Sequence, residues 1–104
     1  MELTPIRNYE HNIKEDGLID VLVPRFTDKF FGKLLQPRMK NKFIRANLDK
    51  IGSFTWLQID GINTVYQISQ NLKENFGESL PDHNSRTALF ISQLFRNGFI
   101  NFKE

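Results

Sequence analysis

The stretch Asn63-Thr64-Val65-Tyr66-Gln67-Ile68-Ser69-Gln70-Asn71-Leu72-Lys73-Glu74-Asn75-Phe76-Gly77 decides the fold. Val65, Ile68, Leu72 and Phe76 fall within one stripe at about 100° per residue, the pattern of a helix with one buried face. Asn63 or Thr64 starts that helix with a side-chain oxygen, and Gly77 suits the left-handed turn that ends it. A helix with one apolar face needs a second layer against it, so the flanking chain must supply apolar surface.

Downstream, Asp82 or Ser85 opens a last helix running to Asn97-Gly98, with Thr87, Phe90, Ile91, Leu94 and Phe95 as its inward stripe. Phe99-Ile100-Asn101-Phe102 then reads as a short terminal strand. Upstream, Asp49 or Ser53 caps a helix carrying Phe54, Trp56 and Leu57 toward Ile59, closed by Asp60-Gly61. Before it the period changes to two. In Phe43 to Leu48, residues Ile44, Ala46 and Leu48 point one way and Phe43, Arg45 and Asn47 the other. Ile6 to Ile13 and Leu18 to Val23 read as two more strands joined by Lys14-Glu15-Asp16-Gly17, with Pro24 ending the second. Between strands, Thr27-Asp28 caps a short helix through Phe30, Phe31, Leu34 and Leu35, which Gln36-Pro37 stops ahead of a basic loop from Arg38 to Lys42. The expected fold class is α+β, winged-helix-like: a small N-terminal antiparallel sheet packed on a three-helix bundle. One domain spans 1–104, with a β-rich part at 1–48 that holds a basic insertion at 26–41, and a three-helix part at 49–104.

At 104 residues the chain builds one modest core, to which its ten phenylalanines are expected to contribute much. It has no cysteine, which removes disulfides, thiolate nucleophiles and zinc–thiolate sites. Met1-Glu2-Leu3-Thr4-Pro5 lacks the pattern of a signal peptide, and no apolar run is long enough to span a membrane. A cytoplasmic protein without membrane partners is the expectation. The net charge of +2 hides an asymmetry. Arg25, Lys29, Lys33, Arg38, Lys40, Lys42, Arg45 and Lys50 are opposed over that segment only by Asp28 and Asp49, which favours an acidic partner.

The catalytic inventory is thin. His11 and His83 are far apart in sequence, and Asp82-His83 is no metal motif. Gly52, Gly61 and Gly77 are isolated and form no phosphate loop. No serine stands in a nucleophile setting, and no carboxylate pair is spaced to share a site. These observations argue against an enzyme and call for no cofactor and no metal.

The order Leu48-Asp49-Lys50-Ile51-Gly52-Ser53-Phe54-Thr55-Trp56-Leu57, Ile59-Asp60-Gly61, Thr64-Val65, Ile68, Leu72, Phe76-Gly77, Arg86, Phe90, Leu94 and Gly98-Phe99-Ile100 resembles the PqqD-like family, named for coenzyme PQQ synthesis protein D. The resemblance covers the last half of the chain well and the first half loosely. It implies a non-catalytic peptide chaperone, or RiPP recognition element. Such a module binds the leader of a ribosomally made precursor peptide and presents it to a modifying enzyme such as a radical SAM enzyme. It also implies a groove between the third strand and the last helix, lined by Phe43 to Asn47 on one side and Arg86, Leu89 and Gln93 on the other. The chain departs from the family where Val23-Pro24-Arg25 places a base after the proline, and where the 26–41 insertion lies next to that strand.

The residues themselves are compatible with such a site. If the third strand is an edge, its free backbone groups can take up an extended peptide, with Lys42 and Arg45 attracting acidic side chains and Phe43 offering apolar contact. The same charges also serve to blunt an edge against aggregation. Ile44, Ala46 and Asn47 complete the strand. Leu89 lies on the outer face of the last helix, away from the core stripe. A winged-helix nucleic-acid binder is the competing reading. It is weakened because the last helix offers only Arg86, Gln93 and Arg96 around Leu89, with the basic cluster elsewhere. An accessory subunit that docks on a protein partner is a third.

Overall fold

The computed structural model describes residues 2–24 and 43–103. It is an α+β fold whose described residues form two small antiparallel sheets and three helices. Strand β1 (Pro5–Arg7) pairs with β5 (Ile100–Phe102). Strands β2 (His11–Ile13), β3 (Ile19–Pro24) and β4 (Phe43–Asn47) form the second sheet, in that order. Helices α1 (Lys50–Gln58), α2 (Val65–Phe76) and α3 (His83–Arg96) follow, with a 3-10 turn at Gly77–Ser79 after α2. The expected short helix after Thr27, the basic loop and the whole 26–41 insertion lie outside the described residues.

The run from Ile6 to Ile13, expected as one strand, is divided between the two sheets. Asn8 fastens the first half to the C-terminal segment. Its N–H donates to the Phe99 carbonyl at 2.8 Å and its amide nitrogen donates to the Gly98 carbonyl at 3.0 Å. Two residues later the Leu22 N–H donates to the Glu10 carbonyl at 2.8 Å, and the chain has joined β3.

The starts of α1 and α2 follow the local chemistry, whereas Asp82 at the start of α3, expected as a cap, sits at φ 56° and makes no side-chain cap bond. Asp49 caps α1, its Oδ1 accepting from the Gly52 N–H at 2.7 Å. Thr64 and Gln67 form a reciprocal capping box at the start of α2: Thr64 Oγ1 accepts from the Gln67 N–H, and Gln67 Oε1 from the Thr64 N–H. Asp60 organises the loop between these helices, its Oδ1 accepting from the N–H groups of Ile62 and Asn63, both at 2.9 Å. Partial desolvation pulls the Asp60 carboxyl upward. The Asn63 and Ile62 N–H bonds, its own N–H and the Arg7 charge outweigh that pull and hold it below the usual carboxylate range. Gly61 follows at φ +80°, where a side chain would be strained.

The core gathers Ile19 and Val21 from β3, Trp56 from α1, Ile59 just after it, Val65, Ile68 and Leu72 from α2, Leu80 just after the 3-10 turn, Ile91 and Leu94 from α3, and Ile100 from β5. Among the described residues phenylalanine stays at the edge of this core. Phe54, Phe76, Phe90, Phe99 and Phe102 pack at the margin of this cluster and are only partly buried. Phe95, expected on the inward stripe, is 48% exposed and leans on Phe102 with ring centroids 5.0 Å apart. Thr87, Ile91 and Leu94 define the true inward line of α3, and Phe95 lies a further 100° or so around the helix.

Trp56 is fully buried and ties α1 to β2 and to Phe99, just before β5. Its Nε1 donates to His11 Nδ1 at 3.1 Å, and its ring meets Phe99 edge-on. Burial, and then the charge of Arg7, push the His11 imidazole below its ordinary value, which keeps Nδ1 available as an acceptor.

Candidate functional site

Strand β4 lies at the border of its sheet. It pairs with β3 in the register Asp20↔Asn47, Val21↔Ala46, Leu22↔Arg45, Val23↔Ile44 and Pro24↔Phe43. The Leu48 N–H donates to the Ile19 carbonyl at 2.9 Å, one step beyond this register. Alternation along an antiparallel ladder then makes Val21↔Ala46 and Val23↔Ile44 the hydrogen-bonded pairs. The N–H and C=O groups of Phe43, Arg45 and Asn47 therefore point to the outer side of the strand. Among the described residues no strand pairs with that side. Pro24, opposite Phe43 in a non-bonded pair, is tolerated because no N–H is needed there.

The side chains divide as the alternation requires. Ile44 and Ala46 share the face of Ile19 and Val21; Arg45 and Asn47 share the opposite face with Asp20. Ile44 remains 52% exposed even on the core-side face. Arg45 Nη1 lies 3.9 Å from Asp20 Oδ2, and Lys14 Nζ lies 3.4 Å from Oδ1 without hydrogen-bond geometry. The Arg45 side chain is 61% exposed, so this long contact contributes less than about 1 kcal/mol and leaves the guanidinium able to turn outward.

The end of β4 is locked to α1 by Ser53. Its Oγ accepts from the Ile19 N–H at 2.8 Å and donates to the Leu48 carbonyl at 3.3 Å. A regular ladder would join those two backbone groups directly. The hydroxyl stands between them instead, and so couples the strand pair to the first turn of the helix.

Beyond this junction the chain enters a cleft of about 180 Å3. Asp49, Ile51, Gly52 and Thr55 form one wall, Leu72 and Leu80 the floor, and Arg86, Thr87 and Phe90 of α3 the other wall. A Cβ at Gly52 would crowd the capping Asp49 Oδ1 at 3.0 Å and would make ordinary contact, at 3.5 Å, with Leu48 Cβ and Phe90 Cζ. The strand exit and the last helix thus come together around Gly52. Along its length β4 packs chiefly on β3, while α3 packs chiefly on α2.

The sequence candidates distribute accordingly. Ile44, Arg45, Ala46 and Asn47 form the border strand, and Phe43 opens it; Lys42 lies outside the described residues. Arg86 lines the cleft. Leu89, 60% exposed, and Gln93 lie on the exposed face of α3 and are not among the cleft residues. Asp49, Leu80 and Thr87 were not foreseen as site residues. The one available signal was a threonine set within an otherwise apolar helical stripe. No group of three or more histidine, aspartate or glutamate side chains converges to hold a metal among the described residues. No described helix is long and apolar enough to cross a membrane. Comparison with protein-family models, curated proteins and solved structures found no match to this chain.

Proposed function

We propose that this protein is a non-catalytic peptide-binding module that takes up an extended segment of another chain along β4. The observation that carries this reading is a border strand with outward N–H and C=O groups that ends at Asn47, two residues before Asp49, the first residue of a cleft walled by the last helix. Strand addition uses such groups for affinity and adjoining pockets for specificity. The exposed Arg45 on the strand and Arg86 in the cleft favour a segment that carries carboxylates. The resemblance to PqqD-like domains agrees with this use and names the occupant as the leader of a ribosomally made precursor, delivered to a separate modifying enzyme.

The test is titration of the 15N-labelled protein with precursor peptides encoded near its gene. Amide shifts concentrated in residues 43–47 and 86–93 are expected. If no peptide moves the amides of Phe43, Arg45 and Asn47, the strand-addition reading is wrong. Arg45→Gln is expected to weaken an acidic peptide about threefold to tenfold, as loss of a partly exposed ion pair should.

A further inference from the structure

We infer that the cleft beyond β4 is an anchor pocket for one apolar side chain carrying a carboxylate close by, held by Arg86 and Thr87. The inference deepens the peptide-binding reading and rests on it for the identity of the physiological ligand, but the cleft makes its own chemical case.

Size comes first. A hollow of about 180 Å3 is below the range of sites for drug-sized ligands. A cavity of roughly 150 Å3 is known to accept a single benzene ring, so this one suits one leucine- or phenylalanine-sized group. Ile51, Leu72, Leu80 and Phe90 give it apolar walls.

The polar groups come next. Thr87 is 2% exposed, and its Oγ1 has no hydrogen-bond partner among the described residues. A helical threonine ordinarily bonds back to the carbonyl one turn earlier, here that of His83, and this one does not. A buried hydroxyl left unpaired is a destabilising feature that a bound acceptor removes, and rotation about χ1 exchanges the hydroxyl and methyl positions. Arg86, one residue earlier, lies at the same wall with no carboxylate within 4.0 Å among the described residues. The nearest anion in the lining, Asp49, has its Oδ1 engaged by the Gly52 N–H at the start of α1. The cleft thus offers an apolar well with a cation on one wall and, buried just behind that wall, a threonine hydroxyl without a partner among the described residues. That combination selects an apolar group with an adjacent carboxylate over an apolar group alone or a carboxylate alone.

The experiment uses N-acetyl-leucine as the probe, with N-acetyl-leucinamide and acetate as comparisons, titrated into the 15N-labelled full chain. N-acetyl-leucine is expected to shift the amides of Ile51–Thr55 and Arg86–Phe90, with a Kd on the order of millimolar for so small a ligand. The amide should bind several-fold more weakly and acetate should leave these residues unmoved. Thr87→Val is the decisive variant. It is close to isosteric and removes an unpaired buried hydroxyl, so the folded protein should be at least as stable. Binding of N-acetyl-leucine should nevertheless fall about fivefold, the loss of one hydrogen bond. Arg86→Gln should weaken the acid and leave the amide unchanged.

Equal binding of acid and amide, or undiminished binding to Thr87→Val, overturns the assignment. If precursor peptides move residues 43–47 while N-acetyl-leucine moves nothing, the pocket is wrong and strand addition stands. If N-acetyl-leucine moves the cleft while no peptide moves residues 43–47, the pocket stands and strand addition falls.

Discussion

Replacing Ser53 with alanine should release the end of β4 from α1. In the folded protein the Ser53 hydroxyl is the partner of the Ile19 N–H, at 2.8 Å, and reaches the Leu48 carbonyl at 3.3 Å. Ile19 is fully buried and Ser53 is 4% exposed, so water does not readily replace the lost bonds. An orphaned buried N–H costs about 1–3 kcal/mol. The longer bond to Leu48 adds only a few tenths of a kcal/mol, roughly offset by the better helix propensity of alanine, about 0.5 kcal/mol. The net loss is about 1.5 kcal/mol, which for a domain of this size lowers Tm by roughly 6–12 °C. Urea unfolding should show a lower midpoint with an unchanged slope. Native-state hydrogen exchange should show a faster Ile19 amide while amides in the middle of α2 keep their protection relative to the new global stability. Ser92→Ala, on the exposed face of α3, is the control and should stay within about 0.5 kcal/mol of the parent. A Ser53→Ala protein as stable as the parent, with Ile19 still protected, would mean that the two strands close a direct bond and that the hydroxyl clamp is dispensable.

Acidification tests the burial of a neutral His11 beside Arg7. The folded-state pKa of His11 lies below its ordinary 6.5, so the unfolded chain binds more protons between the two values. Stability from this group is therefore fully present above about pH 6.5 and is lost as pH falls through the folded value. Urea midpoints at pH 7.5 and pH 5 should differ for the parent and differ less for His11→Phe; equal differences reject titration of His11 as the cause. Gly61→Ala should cost roughly 1–2 kcal/mol from backbone strain alone, because its Cβ would meet only Ile6 Cγ1, at 3.8 Å. An unchanged Tm would rule that strain out. Thr64→Ala removes half of the capping box and should cost about 0.5–2 kcal/mol, read as a lower thermal midpoint with loss of protection in the first turn of α2.

The parts legible in sequence are those set by near neighbours. Thr64 and Gly77 bound α2, Asp49 caps α1, and the alternation from Phe43 to Leu48 gave both the strand and the division of its faces. What the pattern could not carry is choice of distant partners. Ile6 to Ile13 reads as one strand because alternation is blind to which sheet each half joins; that depends on Asn8 meeting Gly98 and Phe99, some ninety residues away. The sequence offers Asp49 or Ser53 as the cap of α1; Asp49 holds that role, which leaves Ser53 to the sheet. Phe95 was placed inward because any large aromatic beside Leu94 fits a broad stripe, and only packing narrows it. The border strand of the candidate site could be anticipated from its charges and period. The cleft could not, because Asp49, Leu80 and Thr87 come from separate segments that meet only in the folded chain.

The pairing of β1 with β5 has a practical corollary. Pro5 stands opposite Phe102, and the Lys103 N–H donates to the Thr4 carbonyl at 2.7 Å. Residues 4 and 103 are thus neighbours across a ladder, and a linker of a few residues can splice them without disturbing either strand. A circularly permuted version, reopened at the exposed Glu15-Asp16-Gly17 turn, keeps every other element in register. By the same geometry the domain can be grafted into a surface loop of a carrier protein through two adjacent stems, leaving β4 and the cleft to be displayed on the host.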